Sequence, residues 1–471
     1  MDFNYSEENK KNSTLFMLFL GLIFLLPWPH GLELVWEYLL FGFIIFSLST
    51  IHLIKTNNIN NLSSILTPYK TSLILFLILI LYALLQIVPL PQSVIKIISP
   101  NTLTSNSLSI APETSLLELL KNMSYLATFI LCLLLLSSKN RIITLLNILF
   151  FSSTVIAIYS LINHYTDGSF SLISSIPPWV MPWKQVTHGT FSYQNHYASF
   201  LTMTIPLGIG LISYYHNKGR AKGLKTPLMN QIIELVMSKN GLYLLAIFIM
   251  ILSLLKTSSR GGNLIFIFSI FYTYICYLIV NKASTKKLVK RLSLSLLTFI
   301  ILIMTLISTG TIDKLTKRYQ NQGLTPNGRD IMVQTVTNII TDYPIFGTGT
   351  GTYPVIQHKY KSPLLGNTAM SKRAHNDYFE YLCNQGIIGF SLLMLAMALL
   401  YIKLFKQLKK TKSSFMGIKI ACFTSVSAIS IHSFIDFNFH LPANAIYFFI
   451  IFAAGLQAGQ LSNKQRSRAE Y

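Results

Sequence analysis

The stretch TSLILFLILILYALLQIVPL, residues 71–90, decides the fold class because it holds no charged side chain over its whole length. A helix needs about 20 apolar residues of this kind to cross the hydrocarbon core of a bilayer. Backbone polar groups in lipid have to be satisfied within the crossing segment, so such a run is predicted to be helical. The stretch therefore predicts an α-helical membrane protein.

Comparable apolar runs recur along the 471 residues, of which 52% are hydrophobic and 11% are charged. A soluble domain carries about 25% charged residues, so this composition excludes a water-soluble fold. The runs predict an all-α, polytopic transmembrane helix bundle of about 12 spans. The predicted spans are 14–29, 34–54, 71–90, 118–137, 142–163, 197–216, 240–256, 263–281, 292–309, 386–405, 417–436 and 443–460.

Lysine and arginine side chains set the predicted orientation, because short basic loops stay on the cytoplasmic side of the membrane. With the N-terminus inside, most of the 38 basic residues fall in inner segments. Both termini are therefore expected in the cytoplasm. We predict spans at 1–309, a long outer loop at 310–385 that folds as a small helical cap, and further spans with a cytoplasmic tail at 386–471.

The formal net charge of +22 comes largely from basic residues that lie directly beside predicted span ends. Contact with anionic membrane lipids explains this placement more simply than nucleic acid does, so we expect membrane lipids and no nucleic acid as partners. The four cysteines lie in or near predicted spans without metal-type spacing. They are predicted to be buried apolar residues, with no disulfide and no metal site.

A short turn between the seventh and eighth predicted spans, residues 258–262, has the sequence SSRGG. An arginine guanidinium is a permanent planar cation that can hold two phosphate oxygens at once, and adjacent glycines let a head group approach the backbone. Arg260, with Ser259, is therefore a candidate phosphate site. The structural alternative is an arginine that reaches lipid phosphate or pairs with Asp436.

A second arginine, Arg329, lies in the sequence NGRD at 327–330 and opens a segment with helical patterning. A glycine-rich stretch follows at 347–351, so the pair forms a candidate anion cradle. The stretch lacks the Gly-Lys-Ser/Thr ending of a P-loop. A simple turn that returns the chain to the membrane is an equal alternative.

The segment 373–380, RAHNDYFE, lies just before the tenth predicted span. His375 would stand at the outer mouth of the membrane, and histidine can take a proton from a hydroxyl near neutral pH. Asn376 and Glu380 are one helical turn apart and are candidates for holding a substrate or orienting the site. A structural histidine at the membrane interface is the alternative.

The turn between the last two predicted spans carries Asp436. Ionisable residues at span ends are costly, so Asp436 is a candidate partner for Arg260 or for an acceptor. Asn195, in the segment 188–196, completes this outer rim. Helix capping and packing explain that last segment equally well.

Taken together, these outer motifs in this order resemble the superfamily of bacterial O-antigen ligases and O-antigen polymerases. The resemblance covers about residues 186–445, while the first five spans match only in hydropathy. The motifs that carry it are Gly189-Thr190-Phe191 with Asn195, Ser259-Arg260-Gly261, Gly328-Arg329, Pro344 to Gly351, His375 to Tyr378 with Glu380, Gly386 to Gly389, and the turn from Asp436 to Pro442.

The resemblance implies an inner-membrane glycosyltransferase that moves a glycan from undecaprenyl pyrophosphate to an acceptor hydroxyl at the periplasmic face. It implies an inverting reaction that needs no metal and no cofactor. Arg260 and Arg329 would bind the donor pyrophosphate, and His375 would activate the acceptor. The candidates for substrate binding are Asn195, Ser259, Asn376, Glu380 and Asp436.

Three acceptors fit such an enzyme: the lipid A core for a ligase, a second lipid-linked glycan for a polymerase, and a protein side chain for a protein O-oligosaccharyltransferase. The chain shows no obvious extra soluble domain for gripping a protein, which favours a ligase or polymerase. A glycan flippase or transporter is an alternative that predicts midplane charges and inverted repeats, and the sequence shows neither. A structural scaffold is disfavoured by the polar residues at the outer rim.

Overall fold

The structure is a computed structural model, and it describes residues 2–56, 59–101, 106–171, 176–177, 179, 185–219, 238–280, 329–360, 373–409 and 415–469. This part of the chain is helical and contains no strand, which confirms the predicted all-α fold class. The α-helices are α1 Asp2–Leu25, α2 Val35–Lys55, α3 Ile59–Leu66, α4 Lys70–Ile87, α5 Gln92–Ile98, α6 Pro112–Leu135, α7 Lys139–Tyr165, α8 Gln194–Gly219, α9 Lys239–Lys256, α10 Arg260–Val280, α11 Arg329–Asp342, α12 Tyr353–Tyr360, α13 Asp377–Lys409, α14 Met416–His432 and α15 Pro442–Ala469.

Eight helical segments in the described ranges are long and apolar enough to cross a membrane. They contain α2, α4, α6, α7, α8, α10, α13 and α15. Three shorter apolar segments, Ser13–Leu25, Asn240–Lys256 and Met416–His432, coincide with the first, seventh and eleventh predicted spans. The ninth predicted span, 292–309, lies outside the described residues. The chain is thus a multi-pass membrane protein.

Burial separates central helices from peripheral ones. Within their most apolar windows, 78% of α8 and 83% of α15 are buried inside the protein, against 28% for the α4 segment and 22% for α13. The helix α8 packs against α7, α9, α10 and α14, and α4 packs against α13. The exposed apolar faces of α4 and α13 therefore form lipid-facing surface.

The helix α13 has a kink at Gly386, where φ is 60° and ψ is −175°. A Cβ atom at this position would collide with the carbonyl oxygen of Ile345, so the close backbone approach requires glycine. The predicted tenth span begins at this same residue. The kink therefore separates the motif-bearing segment 377–385 from the membrane-crossing part of α13.

The described part of the predicted cap is helical and has its own small apolar cluster. Its buried side chains come from α11 and the residue after it, from α12, and from the segment 374–383, and they are Val336, Ile339, Tyr343, Tyr353, Ile356, Ala374 and Cys383. This cluster joins the two cap helices to the segment that carries His375. The rest of the predicted cap, 310–328 and 361–372, lies outside the described residues.

Several connections meet at one end of the bundle. The Thr187 amide, in the α7–α8 connection, donates to the Lys256 carbonyl at the end of α9, with an N···O distance of 3.2 Å. The Asp377 amide donates to the Ser433 carbonyl, just after α14, at 2.9 Å. These bonds bring the starts of α8, α10 and α13 and the α14–α15 turn to the same end.

Candidate active site

Three polar side chains form a chain of contacts across this end of the bundle. Asn195 Nδ2, at the start of α8, donates to Asp436 Oδ2 at 2.6 Å. Asp436 Oδ1 lies 3.2 Å from His375 Nδ1 and also accepts from the Phe437 amide at 3.0 Å. Asp436 is 1% exposed, so these donors take the place of water around its carboxylate. The structure thus brings together three predicted site residues.

The contact with Asp436 sets which nitrogen of a neutral His375 carries the proton. A carboxylate can only accept a hydrogen bond, so Nδ1 carries the hydrogen and Nε2 keeps its lone pair. The Phe437 ring meets the imidazole edge-on, with ring centroids 4.7 Å apart, and fixes its plane. About 15% of the His375 side chain remains exposed. An oriented imidazole of this kind can accept a proton from a hydroxyl.

The backbone of His375 has a φ of 52°, in the left-handed region that non-glycine residues rarely adopt. Bonds on both sides hold it there. The Ala374 amide donates to Glu380 Oε2 at 2.8 Å, and the Asp377 amide donates to the Ser433 carbonyl at 2.9 Å. Such strain persists only where neighbours over-determine the conformation, and it clusters at functional sites.

A buried cluster of charged side chains adjoins this segment. Glu380, which is fully buried, has Oε1 3.0 Å from Arg373 Nη1 and 2.9 Å from His440 Nε2. His440 Nδ1 lies 2.7 Å from Asp377 Oδ1. Burial alone would lower the pKa of His440, but the Glu380 carboxylate and the hydrogen bonds to Asp377 and Glu380 raise it. The predicted substrate-binding candidate Glu380 is thus fully engaged inside the protein.

The cluster continues in α6, where Lys121 Nζ donates to Glu118 Oε1 at 2.7 Å. Lys121 is 4% exposed. The sequence motifs did not identify this pair, although a signal was present. Two charged residues three positions apart open the predicted span 118–137, and ionisable groups within a span usually mark a functional site.

Arg260 begins α10 at the same end of the bundle. Ser259 caps this helix, because its Oγ accepts a hydrogen bond from the Gly262 amide at 3.2 Å. A Cβ atom at Gly262 would collide with the Cβ of Ala198 in α8. The glycine therefore serves close packing of α10 on α8, a role that the phosphate-turn prediction did not include.

The next residue, Gly261, places the start of α10 beside the turn that carries Asp436. A Cβ atom at Gly261 would lie 3.1 Å from Cδ1 of Ile435, which directly precedes Asp436. The first residues of α10 therefore lie beside the α14–α15 turn that carries Asp436, the partner of His375. The positive end of the α10 dipole adds to the guanidinium charge of Arg260, so the start of α10 favours an anion.

Two further predicted site residues are Arg329 and Asn376. Arg329 begins α11, and its side chain lies outside the described part of the chain. Asn376 Oδ1 accepts from the amides of Tyr378 and Phe379, each at 3.1 Å, and so caps α13. Direct substrate contacts of these side chains stay predictions.

The glycine-rich stretch 347–351 forms a turn packed against α13. The amides of Thr348 and Gly349 donate to the carbonyls of Cys383 and Asn384 at 3.0 and 2.9 Å. These donors are used within the protein. The arrangement favours the turn interpretation over an anion cradle at this stretch.

A cavity of about 400 Å³ lies between α4, α6, α13 and α15 and reaches the charged cluster. Its volume falls within the range of small-molecule sites. The apolar walls include Phe76, Ala83, Leu126, Met397 and Phe449. Because α4 and α13 are lipid-facing, the cavity lies close to the surrounding bilayer.

The end of the cavity near the cap is polar. Glu118, Lys121, Asp377, His440 and Gln385 are among its lining residues. Within the described part of the chain, Gln385 Oε1 and Tyr125 Oη are buried without a hydrogen-bond partner. The cavity thus combines apolar walls with polar atoms that a hydroxyl-bearing ligand could satisfy.

Residues 245–394, about a third of the chain, match the model of the O-antigen ligase family. This match confirms the predicted resemblance to the O-antigen ligase and polymerase superfamily and supports an enzyme of the O-antigen ligase type. The matched range contains Arg260, Arg329 and His375, whereas Asn195 and Asp436 lie outside it. Comparison with curated proteins gives no match.

Proposed function

We propose that this protein transfers a glycan from undecaprenyl pyrophosphate to an acceptor hydroxyl at the periplasmic face of the bacterial inner membrane. The observation that carries the proposal is the His375–Asp436 contact, which orients a base. The start of α10, which carries Arg260, supports the proposal because Gly261 packs against Ile435, the residue before Asp436. The family match over residues 245–394 supports the same chemistry. The acceptor class that we favour is a lipid A core or a second lipid-linked glycan.

In the proposed reaction, the acceptor hydroxyl attacks the anomeric carbon of the donor sugar while His375 Nε2 takes its proton. The bond between that carbon and the pyrophosphate oxygen breaks on the opposite face, so the configuration inverts. Arg260, together with Arg329, stabilises the negative charge on the leaving undecaprenyl pyrophosphate. Asp436 stabilises the imidazolium that forms on His375. A leaving pyrophosphate requires charge stabilisation, which the two arginines supply without a metal.

The cavity between α4, α6, α13 and α15 is proposed to hold the hydrocarbon chain of a lipid-linked substrate. Its apolar walls lie behind lipid-facing helices, and its polar end reaches Asp377, two residues after His375. Fixed charges at that end are already paired within the protein. The cavity therefore suits a chain and an uncharged sugar better than a pyrophosphate.

Filling this cavity should weaken binding of the lipid-linked substrate. Ala83→Phe adds a ring to a wall position that is 5% exposed. We expect KM to rise about tenfold, or about 1.4 kcal/mol of binding free energy, because the ring occupies space that the substrate chain needs. The matched control is Leu84→Phe on the same helix, at a position that is 45% exposed to lipid. Equal KM values for the two folded variants would argue against the cavity as a substrate site.

The direct test of the function uses purified protein in vesicles with a lipid-linked glycan and each acceptor in turn. The acceptors are lipid A core, a second lipid-linked glycan and a peptide, and products are separated by mass. A glycan bonded to an acceptor supports the transferase, and the acceptor used identifies the type. Movement of the lipid-linked glycan across the bilayer without a product would support the flippase alternative instead.

The proposed orientation has its own test. His358 is exposed on the cap helix α12, and Asn463 is exposed near the end of α15. A cysteine placed at His358 should react with an impermeant thiol reagent added from the periplasm, and one at Asn463 should react only from the cytoplasm. The four native cysteines are buried and give a low background. Labelling of both positions from one side would refute the predicted orientation.

A further inference from the structure

His440, in the turn between α14 and α15, has a carboxylate at each ring nitrogen. Nδ1 lies 2.7 Å from Asp377 Oδ1, and Nε2 lies 2.9 Å from Glu380 Oε1. A neutral imidazole has a single N–H, so its other nitrogen would point a lone pair at a carboxylate oxygen. Only the imidazolium can donate to both groups. The geometry therefore identifies His440 as a cation.

The charges around His440 agree with this assignment. The charged and titratable side chains near it are Asp377 and Glu380 of α13, Arg373 just before α13, Glu118 and Lys121 of α6, and His196 of α8. Apart from His196, the set has three carboxylates and, with His440 protonated, three cations. Deprotonation would leave one buried negative charge without compensation, which is costly.

The position of His440 connects it to the proposed reaction. The α14–α15 turn supplies both Asp436, which orients the imidazole of His375, and His440, which binds the first turn of α13. Both carboxylates that His440 binds lie next to the strained residue His375: Asp377 follows it by two residues, and Glu380 accepts from the amide of Ala374, which directly precedes it. His440 thus ties the turn and the segment 374–377 together.

We propose that His440, as an imidazolium held between Asp377 and Glu380, is the positioning residue that keeps His375 aligned for proton transfer. The part of this proposal that concerns catalysis rests on the proposed glycan transfer. The imidazolium assignment rests on the two contacts alone. Two measurements separate these parts.

The pH dependence follows from the charge state. Burial would lower the pKa of His440, but the carboxylates of Glu380 and Asp377 outweigh it and raise the pKa above the reference value of 6.5. A raised folded-state pKa contributes stability that is complete below 6.5 and is lost as the pH rises through the folded-state pKa. Stability should therefore fall as the pH rises above 6.5 toward and through the folded-state pKa.

The first measurement follows thermal unfolding of the full-length protein in detergent between about pH 6 and about pH 9. The variant His440→Lys keeps a cation with several donors, so we expect the Tm of the wild type to fall relative to this variant as the pH rises. His358→Lys on the exposed face of α12 is the control and should follow the wild type. If the Tm of the wild type and that of His440→Lys changed with pH in the same way, the assignment of His440 as an imidazolium would be refuted. If His440→Lys does not fold, His440→Gln replaces it, because an uncharged amide also removes the titration.

The second measurement uses the transfer assay. His440→Gln should lower kcat about ten- to hundredfold, since small misplacement of a reacting group has effects of this size. KM for the lipid-linked donor should change less than kcat, because Arg260 is untouched and His440 only lines the polar end of the proposed substrate cavity. His440→Lys should recover part of kcat, and its kcat should fall less than that of the wild type as the pH rises above 6.5, because lysine stays charged. Wild-type kcat and an unchanged pH profile in His440→Gln would refute the positioning role, whereas a wild type without transfer would refute the proposed function and leave the Tm result standing.

Discussion

Glycan transfer is expected to fall about 10²- to 10⁴-fold when His375 is replaced by alanine, the range that a positioned general base contributes. The reason is the fixed tautomer: Asp436 holds the hydrogen on Nδ1, so Nε2 is the basic atom at the site. The measurement is kcat for transfer in vesicles that contain the lipid-linked donor and a saturating acceptor. Binding of the donor should change little, because the proposed pyrophosphate site lies at α10.

Two further variants make this result specific to His375. His358→Ala removes an exposed histidine from the cap helix α12 and should leave kcat unchanged. Asp436→Asn keeps the shape of the carboxylate but can donate to Nδ1, which favours the unproductive tautomer, and should also reduce kcat strongly. Full activity of His375→Ala would exclude the histidine base.

The membrane fold could be predicted from the sequence because lipid imposes a simple rule on it. An uncharged run such as 71–90 has one stable solution in a bilayer, and the helix α4 occupies most of this run. Details set by packing were not visible in the same pattern. The kink at Gly386 depends on the backbone of Ile345, which belongs to a different part of the chain.

The site was predictable to the extent that topology determines it. His375 and Asp436 were expected at the outer ends of different spans, and the structure brings their side chains into contact. The identity of the contacts depends on tertiary packing. The charged pair Glu118 and Lys121 was visible at the start of the predicted span 118–137. No local pattern showed that Glu380 would bind Arg373 and His440, or that this cluster would adjoin that pair.

Residues that both cap a helix and stand near a site are the hardest to interpret from sequence. Ser259 and Asn376 were candidates for substrate binding, and in the structure each accepts hydrogen bonds from the first turn of its own helix. Serine and asparagine are favoured at such positions for purely local reasons. A motif composed of such residues therefore predicts a helix start as strongly as it predicts a ligand.

Replacing Arg260 with lysine is expected to lower transfer about a hundredfold although the positive charge is retained, because removal of one well-placed hydrogen-bond donor to a developing anion has an effect of about this size. The planar guanidinium can bind two oxygens of the leaving pyrophosphate together, whereas an ammonium acts as a point charge.

The matched control for Arg260→Lys is Lys256→Arg, an exposed position at the end of α9, one short turn before Arg260, where the opposite exchange should leave kcat unchanged. The measurement is kcat/KM for the lipid-linked donor, with Tm recorded for each variant because α10 begins at Arg260 and packs on α8. Full activity of a folded Arg260→Lys protein would show that charge alone suffices, and bidentate binding of the leaving group would then be wrong. A loss confined to Arg260→Lys would identify the start of α10 as the place where the pyrophosphate departs.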